Sequence, residues 1–578
     1  MKVYDIKEIT LYALILLVPW SNEQGLATAE WAFTVFPAYW FALAGMAFTL
    51  RDEIGGRRVV PRRHPGRRAL WFFLSVLVVS IFQSRHIPLT QHVPMSTAVS
   101  LFTRGRYTRS ISQVAAIFFM AGICYFVLAA VRSRRVLRRA TGVYVAAAGL
   151  TALLMSALYL LARLGHERIL SFVAHAAGNA PPVALFVERG VRIQGFFSEP
   201  LAFGTYLVSA IPLTLCMCFT PVRLRYRLLS AAAFFLECAV LGFTLSRGAW
   251  LGWLTAMAVL AALLLAASPR GVQVFLLIIL LVVATGAAAL RNSFFSKQIR
   301  RHPLTAKVRA LTVEQAEVVL DIEKYAAMSR ENCAFAGEFY RRKKVQESEY
   351  TLSPVFGETH RDVLLYTLHT GRIWKEATSR RRGNRGREGR WLRPEHLDAE
   401  ITEQKEVFGA SPGVPHLISS LAWSTAIRFN DIAAGVLMAR DYPFLGVGWG
   451  NYIFRYLDYD PQLMGWWWID CARTQNRPGT PICCNLFVSI IAESGILGLG
   501  SFLLFVSLVF FAGVRGFLRS RDRAVRLIQA GLVSGFAGVL VCYQFFSTLY
   551  YPFVWVVIGL ILATEFIDGS AKILRERS

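Results

Sequence analysis

Long apolar runs alternate along the chain with short polar stretches that are rich in arginine. Most of these runs hold about 20 residues, the length that an α-helix needs to cross the hydrocarbon core of a bilayer. The pattern predicts an all-α polytopic membrane protein with about 12 transmembrane helices. The predicted spans cover residues 9–20, 31–50, 69–83, 113–131, 140–164, 200–220, 228–245, 249–267, 272–290, 486–514, 527–545 and 551–566.

A long polar segment divides the predicted helices into two groups. Residues 1–290 hold transmembrane helices 1 to 9, and residues 486–566 hold helices 10 to 12, followed by a cytoplasmic tail at 567–578. Residues 291–485 form a large loop before the tenth helix, which we expect outside the cytoplasm, in the periplasm. Its middle, residues 343–411, is too charged and glycine-rich to bury a core and is expected to be flexible. A loop of this length usually carries function.

Apolar residues recur at helical spacing near the end of this loop. Trp423, Ile427, Ala434 and Met438 fall on one face of a segment at about 417–441. We expect an amphipathic helix there that packs on the membrane domain or lies in its interface.

The composition agrees with a membrane protein. Hydrophobic residues make up 55% of the chain and charged residues 17%, with a mean hydropathy of +0.43. These values exclude an ordinary soluble protein, a disordered chain, collagen and a small disulfide scaffold. The net charge of +26 would by itself fit binding to nucleic acid or to anionic lipid.

The positions of the arginines decide between these two partners. Clusters at 51–68, 132–139, 223–227 and 515–526 all fall on one side of the predicted topology, and the short loops on the other side hold fewer cations. Cytoplasmic loops are enriched in Lys and Arg, so this side and both termini are expected in the cytoplasm. We therefore expect a multi-pass protein of the cytoplasmic (inner) membrane, with membrane lipid and no nucleic acid as partners.

The first predicted span has an alternative interpretation as a secretory signal peptide. The span is short, and residues 27–29 (Ala-Thr-Ala) resemble a signal-peptidase site. Asp5 and Glu8 are unusual in the basic leader of such a peptide. We favour a retained transmembrane helix.

Four polar motifs stand at or near the expected outer face. They are "RIQGFFSEP" at 192–200, "TLSRGAW" at 244–250, the helix that carries Arg428 and leads to "PFLGVGWGN" at 443–451, and "CCNLFVSIIAESGILGLG" at 483–500.

Each of the first three motifs includes an arginine: Arg192, Arg247 and Arg428. A guanidinium fork binds phosphate oxygens in a bidentate manner, so three converging forks would hold a diphosphate. The alternative for any single arginine is that it reaches to lipid head groups at the membrane surface. Arg247 is the least easily explained in that way because its turn is short.

The glycines in two of the motifs are expected to allow a tight turn and close helix packing, not to bind a nucleotide. The sequence "GVGWG" at 446–450 has neither the GxGxxG spacing nor the GxxxxGK[ST] lysine of a nucleotide loop, so we expect a tight turn. Gly495, Gly498 and Gly500 are expected to allow close helix packing. Glu237 and Glu493 are acids inside apolar spans, where each needs a partner.

In this order and spacing, the four motifs resemble the bacterial O-antigen ligase and O-antigen polymerase superfamily of membrane glycan transferases. The resemblance covers about residues 190–290 and 415–515. It implies an inverting, metal-independent glycosyl transfer without a cofactor. The donor would be an undecaprenyl-diphosphate-linked glycan, and the acceptor another glycan or a lipid-A-core-like sugar.

The resemblance also implies roles for individual residues. Arg192, Arg247 and Arg428 would be catalytic by neutralising the diphosphate leaving group. Glu199 is the fourth expected catalytic residue, as a base or as the partner that orients Arg192. No metal site is expected, and "DYD" at 458–460 is interpreted as a solvated turn. The expected substrate-binding residues are Gly195, Ser246, Gly446, Gly448, Asn451, Cys484, Asn485 and Glu493.

One position departs from the ligase pattern. Ligases usually carry a histidine directly before the asparagine that opens the tenth span, as the proposed base for the acceptor hydroxyl, and here that residue is Cys484. A thiol is a poor oxygen base. The departure favours a polymerase-like or divergent relative, with Glu199 or His416 as a replacement base. Cys483 or Cys484 could instead form a disulfide with Cys471.

Two other classes of protein compete with the transferase. A transporter or flippase of lipid-linked glycans would share the cationic outer site, but its usual inverted repeats and paired broken helices are not visible in the sequence. A structural scaffold for envelope assembly would not need the three arginines together.

Overall fold

The chain folds into a bundle of long helices with one short β-hairpin, as seen in a computed structural model. The structure describes residues 3–20, 37–55, 65–86, 106–163, 183–186, 190–197, 199–221, 223–267, 423–459 and 483–576. The predicted ninth span at 272–290 and the flexible segment at 343–411 lie outside the described residues, as do most of the predicted loop and the start of its helix at 417–422.

Thirteen helices are present in the described residues, and short 3-10 turns follow three of them, at Val18–Trp20, Ile81–His86 and Tyr456–Tyr459. The helices are α1 (Val3–Leu17), α2 (Pro37–Ile54), α3 (Pro65–Ser80), α4 (Arg106–Ala130), α5 (Arg134–Arg163), α6 (Pro200–Cys218), α7 (Leu224–Phe243), α8 (Arg247–Ala267), α9 (Trp423–Asp441), α10 (Tyr452–Arg455), α11 (Leu486–Arg519), α12 (Arg523–Cys542) and α13 (Pro552–Glu576).

Eight helices of the described residues are long and apolar enough to cross a membrane: α3 with its following turn, α4, α5, α6, α7, α8, α11 and α12. The expectation of a helical polytopic membrane protein is confirmed at this level. The first predicted span forms a helix of only 15 residues, and α2 ends on the charged residues Arg51, Asp52 and Glu53. The apolar part of α13, Pro552–Glu565, is also shorter than the eight.

Most of the helices extend beyond the predicted apolar spans. Helix α5 begins at Arg134, six residues before the predicted start at 140, and α11 continues to Arg519 instead of ending at 514. Helical hydrogen bonding does not need apolar side chains, and the long stem of an arginine packs on apolar surface while its charge reaches water. The hydropathy pattern therefore marks the apolar part of each helix and misses its charged turns.

A short β-hairpin interrupts the all-α pattern. Strand β1 (Val183–Phe186) pairs antiparallel with β2 (Gly190–Ile193). The sequence analysis did not predict this hairpin, which leads directly into the first polar motif.

Helices α6 and α12 form the centre of the bundle, where both are largely buried. Glycines on α12 bring the two backbones together: a Cβ atom on Gly531 would lie 2.6 Å from Cα of Leu213, and one on Gly535 would lie 2.5 Å from the carbonyl oxygen of Ser209. Small residues four apart on one helix face allow this close contact in membrane bundles.

Charged residues from four segments meet at one end of the bundle, here named the arginine end. Lys7 and Arg132 pair with Asp52, Arg139 lies 3.9 Å from Glu8, and Arg134 and Arg138 pair with Asp522. These segments are the N-terminus, the end of α2, the α4–α5 connection and the α11–α12 connection. Three of these segments carry clusters that the sequence assigns to one side of the membrane, at 51–68, 132–139 and 515–526.

Helix α1 packs into the bundle through an apolar face and one ion pair. Leu11, Leu14 and Ile15 have no exposed surface, and the buried Lys7 pairs with Asp52. These contacts favour the retained-helix interpretation over a cleaved signal peptide.

Candidate functional site

A segment between α12 and α13 contacts parts of all four polar motifs. This connecting segment comprises residues 543–551, with the sequence "YQFFSTLYY". It touches the first motif through Tyr551, whose ring centroid is 5.7 Å from that of Phe197. It touches the second through Phe545, because a Cβ atom on Gly248 would lie 2.8 Å from that ring.

The same segment reaches the remaining two motifs through hydrogen bonds. Trp449 in the third motif donates from Nε1 to the hydroxyl of Tyr550 over 3.3 Å. In the fourth motif, the backbone N–H of Leu486 donates to the carbonyl of Tyr543 over 2.9 Å. Elements more than 300 residues apart in the chain therefore share one end of the bundle, here named the motif end.

The first motif makes a tight turn onto α6. Gly195 has φ +63°, and a Cβ atom there would lie 2.8 Å from the ring of Phe203, so both the turn and the packing require glycine. Glu199 stands directly before α6 in extended conformation, partly exposed, and its side chain does not cap the helix. Arg192 lies in β2, opposite Ala184, and its side chain is outside the described part of the structure.

The second motif holds Arg247 at the first position of α8. The side chain is exposed and makes no ion pair or hydrogen bond to any described residue. Ser246 beside it is buried, and its backbone N–H donates to the hydroxyl of Thr244 over 3.3 Å. Leu245 has φ +51°, a left-handed conformation that a branched side chain rarely adopts. The turn thus presents a solvated guanidinium from a constrained backbone.

The predicted loop helix, α9, packs on the first half of α11. Ala434 and Met438 are buried, and a Cβ atom on Gly435 would lie 2.6 Å from the side chain of Val488. Helix α9 therefore lies against the first half of α11. Arg428 lies in its first half, and the position of that side chain is outside the described part of the structure.

Asp431, three residues after Arg428 on α9, is a buried carboxylate that the sequence analysis missed. Cys484 donates its thiol hydrogen to Oδ2 of Asp431 over 3.1 Å, and Tyr452 donates its hydroxyl to the Asp431 carbonyl over 2.6 Å. The signal was available in the helical spacing, because residue 431 falls on the same face as Ile427, Ala434 and Met438.

Cys483 and Cys484 are free thiols in the structure. Cys483 is buried and donates to the carbonyl of Asn485 over 3.4 Å, and its burial raises the pKa of this thiol well above the ordinary value. Cys484 is partly exposed. The proposed disulfide partner Cys471 lies outside the described residues.

Asn485 caps α11 and anchors it to the connecting segment. Its side-chain oxygen accepts the N–H groups of Phe487 and Val488 over 3.0 and 3.1 Å. Its Nδ2 donates to Oε1 of Gln544 over 2.9 Å. Asparagine is among the preferred N-cap residues, and here it uses its donor as well as its acceptor.

Helix α11 is broken at Gly495, where φ is +67° and ψ is −167°. The third motif fills the break: the N–H groups of Val447 and Gly448 donate to the carbonyls of Ala492 and Glu493, both over 2.9 Å. In return Ile496 donates to the carbonyl of Pro443 over 2.7 Å. The loop and the helix thus supply hydrogen-bond partners for each other's backbone N–H and carbonyl groups. A broken helix in a membrane requires such partners.

The break corrects the expected role of three glycines. Gly495 allows a loop, not a neighbouring helix, to approach, because a Cβ atom there would lie 2.2 Å from the carbonyl of Phe444. A Cβ atom on Gly500 would meet nothing within 4 Å, and one on Gly498 would meet Ser494 of the same helix. The expectation of close helix packing is therefore wrong for this set.

The glycines of the third motif form the tight turn that the sequence predicts. Gly446, Gly448 and Gly450 have φ of +64°, +95° and +81°, and a Cβ atom on Gly446 would lie 2.3 Å from the backbone of Glu493. The carboxyl of Glu493 accepts the N–H of Tyr452 over 2.9 Å. This is the partner that an acid inside an apolar span needs.

Asn451 ties the same turn to the end of α3. It has no exposed surface, and its Nδ2 donates to the hydroxyl of Ser84 over 2.8 Å and to the carbonyl of Val447 over 3.3 Å. The structure thus gives Gly446, Gly448 and Asn451 packing roles, and their substrate-binding roles stay predictions.

The structure places Arg247, Cys484 and Asn485 on elements that meet at the connecting segment, Gly195 and Gly446 on turns of the first and third motifs, and Glu493 in α11 just before its break. Within the described ranges, no three His, Cys, Asp or Glu side chains form a cluster that could hold a metal ion. Comparison of the sequence with family models finds no match. Comparison with curated proteins finds no significant match either.

Proposed function

We propose that this protein is a membrane glycosyltransferase, similar to the O-antigen ligases and polymerases, that moves or polymerises an undecaprenyl-diphosphate-linked glycan at the outer face of the cytoplasmic membrane. Such an enzyme belongs to cell-surface polysaccharide biosynthesis. In the proposed reaction an acceptor hydroxyl oxygen attacks the anomeric carbon and loses its proton. The bond from that carbon to the diphosphate breaks, and the diphosphate leaves with the electron pair.

The observation that carries this proposal is the exposed guanidinium of Arg247, which makes no ion pair among the described residues at an end of the bundle where all four motifs meet. An arginine placed there is available to an anionic ligand. The leaving diphosphate gains negative charge as the bond breaks, so a fixed cation beside it lowers the barrier. Arg192 lies in the strand that leads into the first motif and Arg428 in the helix that leads into the third, and both motifs contact the connecting segment, which supports the proposed convergence of the three cations.

The proposed orientation in the membrane follows from the arginine end, which lies opposite the motif end. The arginine end collects the cationic connections, and cations of short loops favour the cytoplasm. The motif end then faces outward, and both termini are cytoplasmic. Twelve spans, with residues 272–290 as the ninth, complete this arrangement.

Asp431 contacts Cys484, the residue that stands where ligases carry a histidine. Its carboxylate lies behind Cys484, the residue at the histidine position, with 3.1 Å between Sγ and Oδ2. The thiol hydrogen of Cys484 is used in this bond, and a thiol is a poor oxygen base. We propose that Asp431 positions Cys484, and that Glu199 remains the candidate base on the first motif.

The test is glycan transfer by the purified full-length protein in vesicles that contain an undecaprenyl-diphosphate-linked repeat. Arg247→Ala should lower the rate by about 10- to 150-fold, because a hydrogen bond to a charged group contributes about 1.5–3 kcal/mol. Arg247→Lys should retain part of the rate, since it keeps the charge without the fork. Arg225→Ala is the matched control, because Arg225 is exposed at the start of α7, on the connection to α6. Equal rates for Arg247→Ala and wild type would contradict the proposal.

A deletion strain separates the two transferase types. Accumulation of single undecaprenyl-linked repeats indicates a polymerase, whereas accumulation of completed chains indicates a ligase.

The alternative, a transporter or flippase of lipid-linked glycans, is favoured by the break in α11. Transporters bind substrate at discontinuous helices like α11. In transporters such helices usually occur in pairs. Among the described helices, only α11 has non-helical backbone angles inside it. Movement of a fluorescent lipid-linked glycan across the vesicle membrane, without any transfer product, would support this alternative.

A further inference from the structure

Gln544 is an exposed residue of the connecting segment whose side-chain amide is held in one orientation. Its Oε1 accepts a hydrogen bond from Nδ2 of Asn485 over 2.9 Å, and its carbonyl oxygen lies 3.3 Å from the same nitrogen. The sequence analysis did not single out this residue.

The hydrogen bonds around Asn485 fix the direction of both amides. The Asn485 oxygen accepts two backbone N–H groups of α11, from Phe487 and Val488, so only its NH₂ group is left to face Gln544. An amide nitrogen donates and does not accept, so Gln544 must turn its oxygen to Asn485 and its own NH₂ group away. That group makes no hydrogen bond to a described residue, and the side chain is exposed.

These groups form a chain of donors that begins at a helix N-terminus. The N–H groups of α11 donate to Asn485, and Asn485 donates to Gln544. Linked hydrogen bonds polarise one another, and the N-terminus of a helix carries partial positive charge. The outward NH₂ group of Gln544 is therefore suited to a negatively charged oxygen.

The turn that holds Arg247 packs against the segment that holds Gln544. The thiol of Cys542 is 3.7 Å from the carbonyl oxygen of Gly248, and the backbone at Gly248 contacts Phe545. Arg247 directly precedes Gly248, and Gln544 directly precedes Phe545. An exposed cation and an exposed neutral donor thus stand on adjacent turns.

We propose that Gln544 binds a phosphate oxygen of the prenyl diphosphate, together with Arg247. This inference rests on the proposed function and adds a diphosphate-binding residue to it. The required ligand chemistry is a pair of anionic oxygens, one for the guanidinium and one for the amide. A prenyl diphosphate and a phospholipid head group both offer such oxygens, and we assign the site to the prenyl diphosphate.

Binding of geranylgeranyl diphosphate to the full-length protein in nanodiscs tests this assignment. Gln544→Glu still accepts from Asn485, but it donates nothing and adds a negative charge, so the Kd should rise at least tenfold. Asn485→Asp keeps the helix cap and removes the donor to Gln544, so we expect a smaller rise. Thr548→Val is the matched control in the same segment and should bind like wild type. Thermal unfolding of each variant checks that the fold is intact.

The outcomes separate this inference from the proposed function. If Arg247→Ala weakens binding and Gln544→Glu does not, Gln544 is not a ligand-binding residue, and the proposed function stands. If neither change affects binding, both fail. If phosphatidic acid competes with geranylgeranyl diphosphate at equal concentration, the site recognises head groups and the prenyl-diphosphate assignment is overturned.

Discussion

Cys484 and Asp431 are joined by a hydrogen bond of 3.1 Å from the thiol to a carboxylate oxygen, across 53 positions of sequence. One residue directly precedes Asn485, which opens the tenth predicted span, and the other lies in the middle of the loop helix α9. The bond fixes the helix to the start of α11 at the position where ligases carry a histidine. It also directs the thiol hydrogen of Cys484 at Asp431.

Cys484→Ala should lower glycan transfer by less than tenfold, because a thiol is a poor base for a hydroxyl proton. Asp431→Ala should have the larger effect on stability, since it removes a buried carboxylate that receives the Cys484 bond. Transfer and thermal unfolding of the two variants, measured side by side, check both statements. Transfer abolished in Cys484→Ala at unchanged thermal stability would show that the thiol does the chemistry.

Gly446→Ala should destabilise the protein by at least about 1–3 kcal/mol, the cost of left-handed backbone in an ordinary residue. The new Cβ atom would also lie 2.3 Å from the backbone carbon of Glu493, which cannot move without opening the break in α11. Gly500→Ala is the matched control, because its Cβ atom meets nothing within 4 Å and alanine favours the helix by about 1 kcal/mol. Thermal unfolding in detergent should therefore shift in opposite directions, and two equal shifts would contradict the assigned turn.

Several of these features follow from local sequence, and others do not. Hydropathy predicts α4 to α8 and α11 to α13 because the length and apolarity of a span are properties of one segment. The turn at 446–450 was predictable because left-handed backbone favours glycine. The break at Gly495 was not, since it depends on backbone partners about 50 residues earlier. Residues 543–551 were missed for the same reason, because their partners are distant in the chain, whereas the helical spacing could have revealed Asp431.

The mature protein should retain α1. Its buried leucines and Lys7 pack against the bundle, and cleavage after Ala29 would leave the buried carboxylate of Asp52 without Lys7. Asp52 would keep its contact with Arg132, so the loss should stay below the about 3–5 kcal/mol that a wholly unpaired buried charge costs. Intact-mass measurement of residues 1–578, expressed and purified from membranes, should give their full mass of 64.7 kDa. A mass lower by the first 29 residues would restore the signal-peptide interpretation.

Reporter fusions after Ser268 and after Ser411 should report opposite sides of the membrane. Ser268 follows α8, whose first residue Arg247 lies at the motif end, so its fusion should report the cytoplasm. Ser411 lies in the predicted outer loop beyond the span at 272–290, and its fusion should report the periplasm. If both fusions report the cytoplasm, the ninth span and the outward direction of the motif end are wrong together.

Thr214→Val should destabilise the protein only while Glu237 is present. Glu237 has no exposed surface in the middle of the bundle, and its Oε1 accepts from the hydroxyl of Thr214 over 3.2 Å. Its Oε2 has no hydrogen-bond partner among the described residues. The hydroxyl also lies 3.2 Å from the carbonyl of Ala210, so its one hydrogen is shared. Removing it leaves a buried carboxyl without a donor, which costs about 1–3 kcal/mol.

A double-mutant cycle in detergent measures this coupling. In the Glu237→Leu background the same Thr214→Val change should cost less than about 0.5 kcal/mol, because no buried acceptor remains to be satisfied. Thr255→Val is the control, since Thr255 is exposed on α8 and bonds only to the carbonyl of Leu251 in its own helix. Equal losses in both backgrounds would mean that Thr214 acts through α6 alone, and that the contact with Glu237 contributes nothing to the fold.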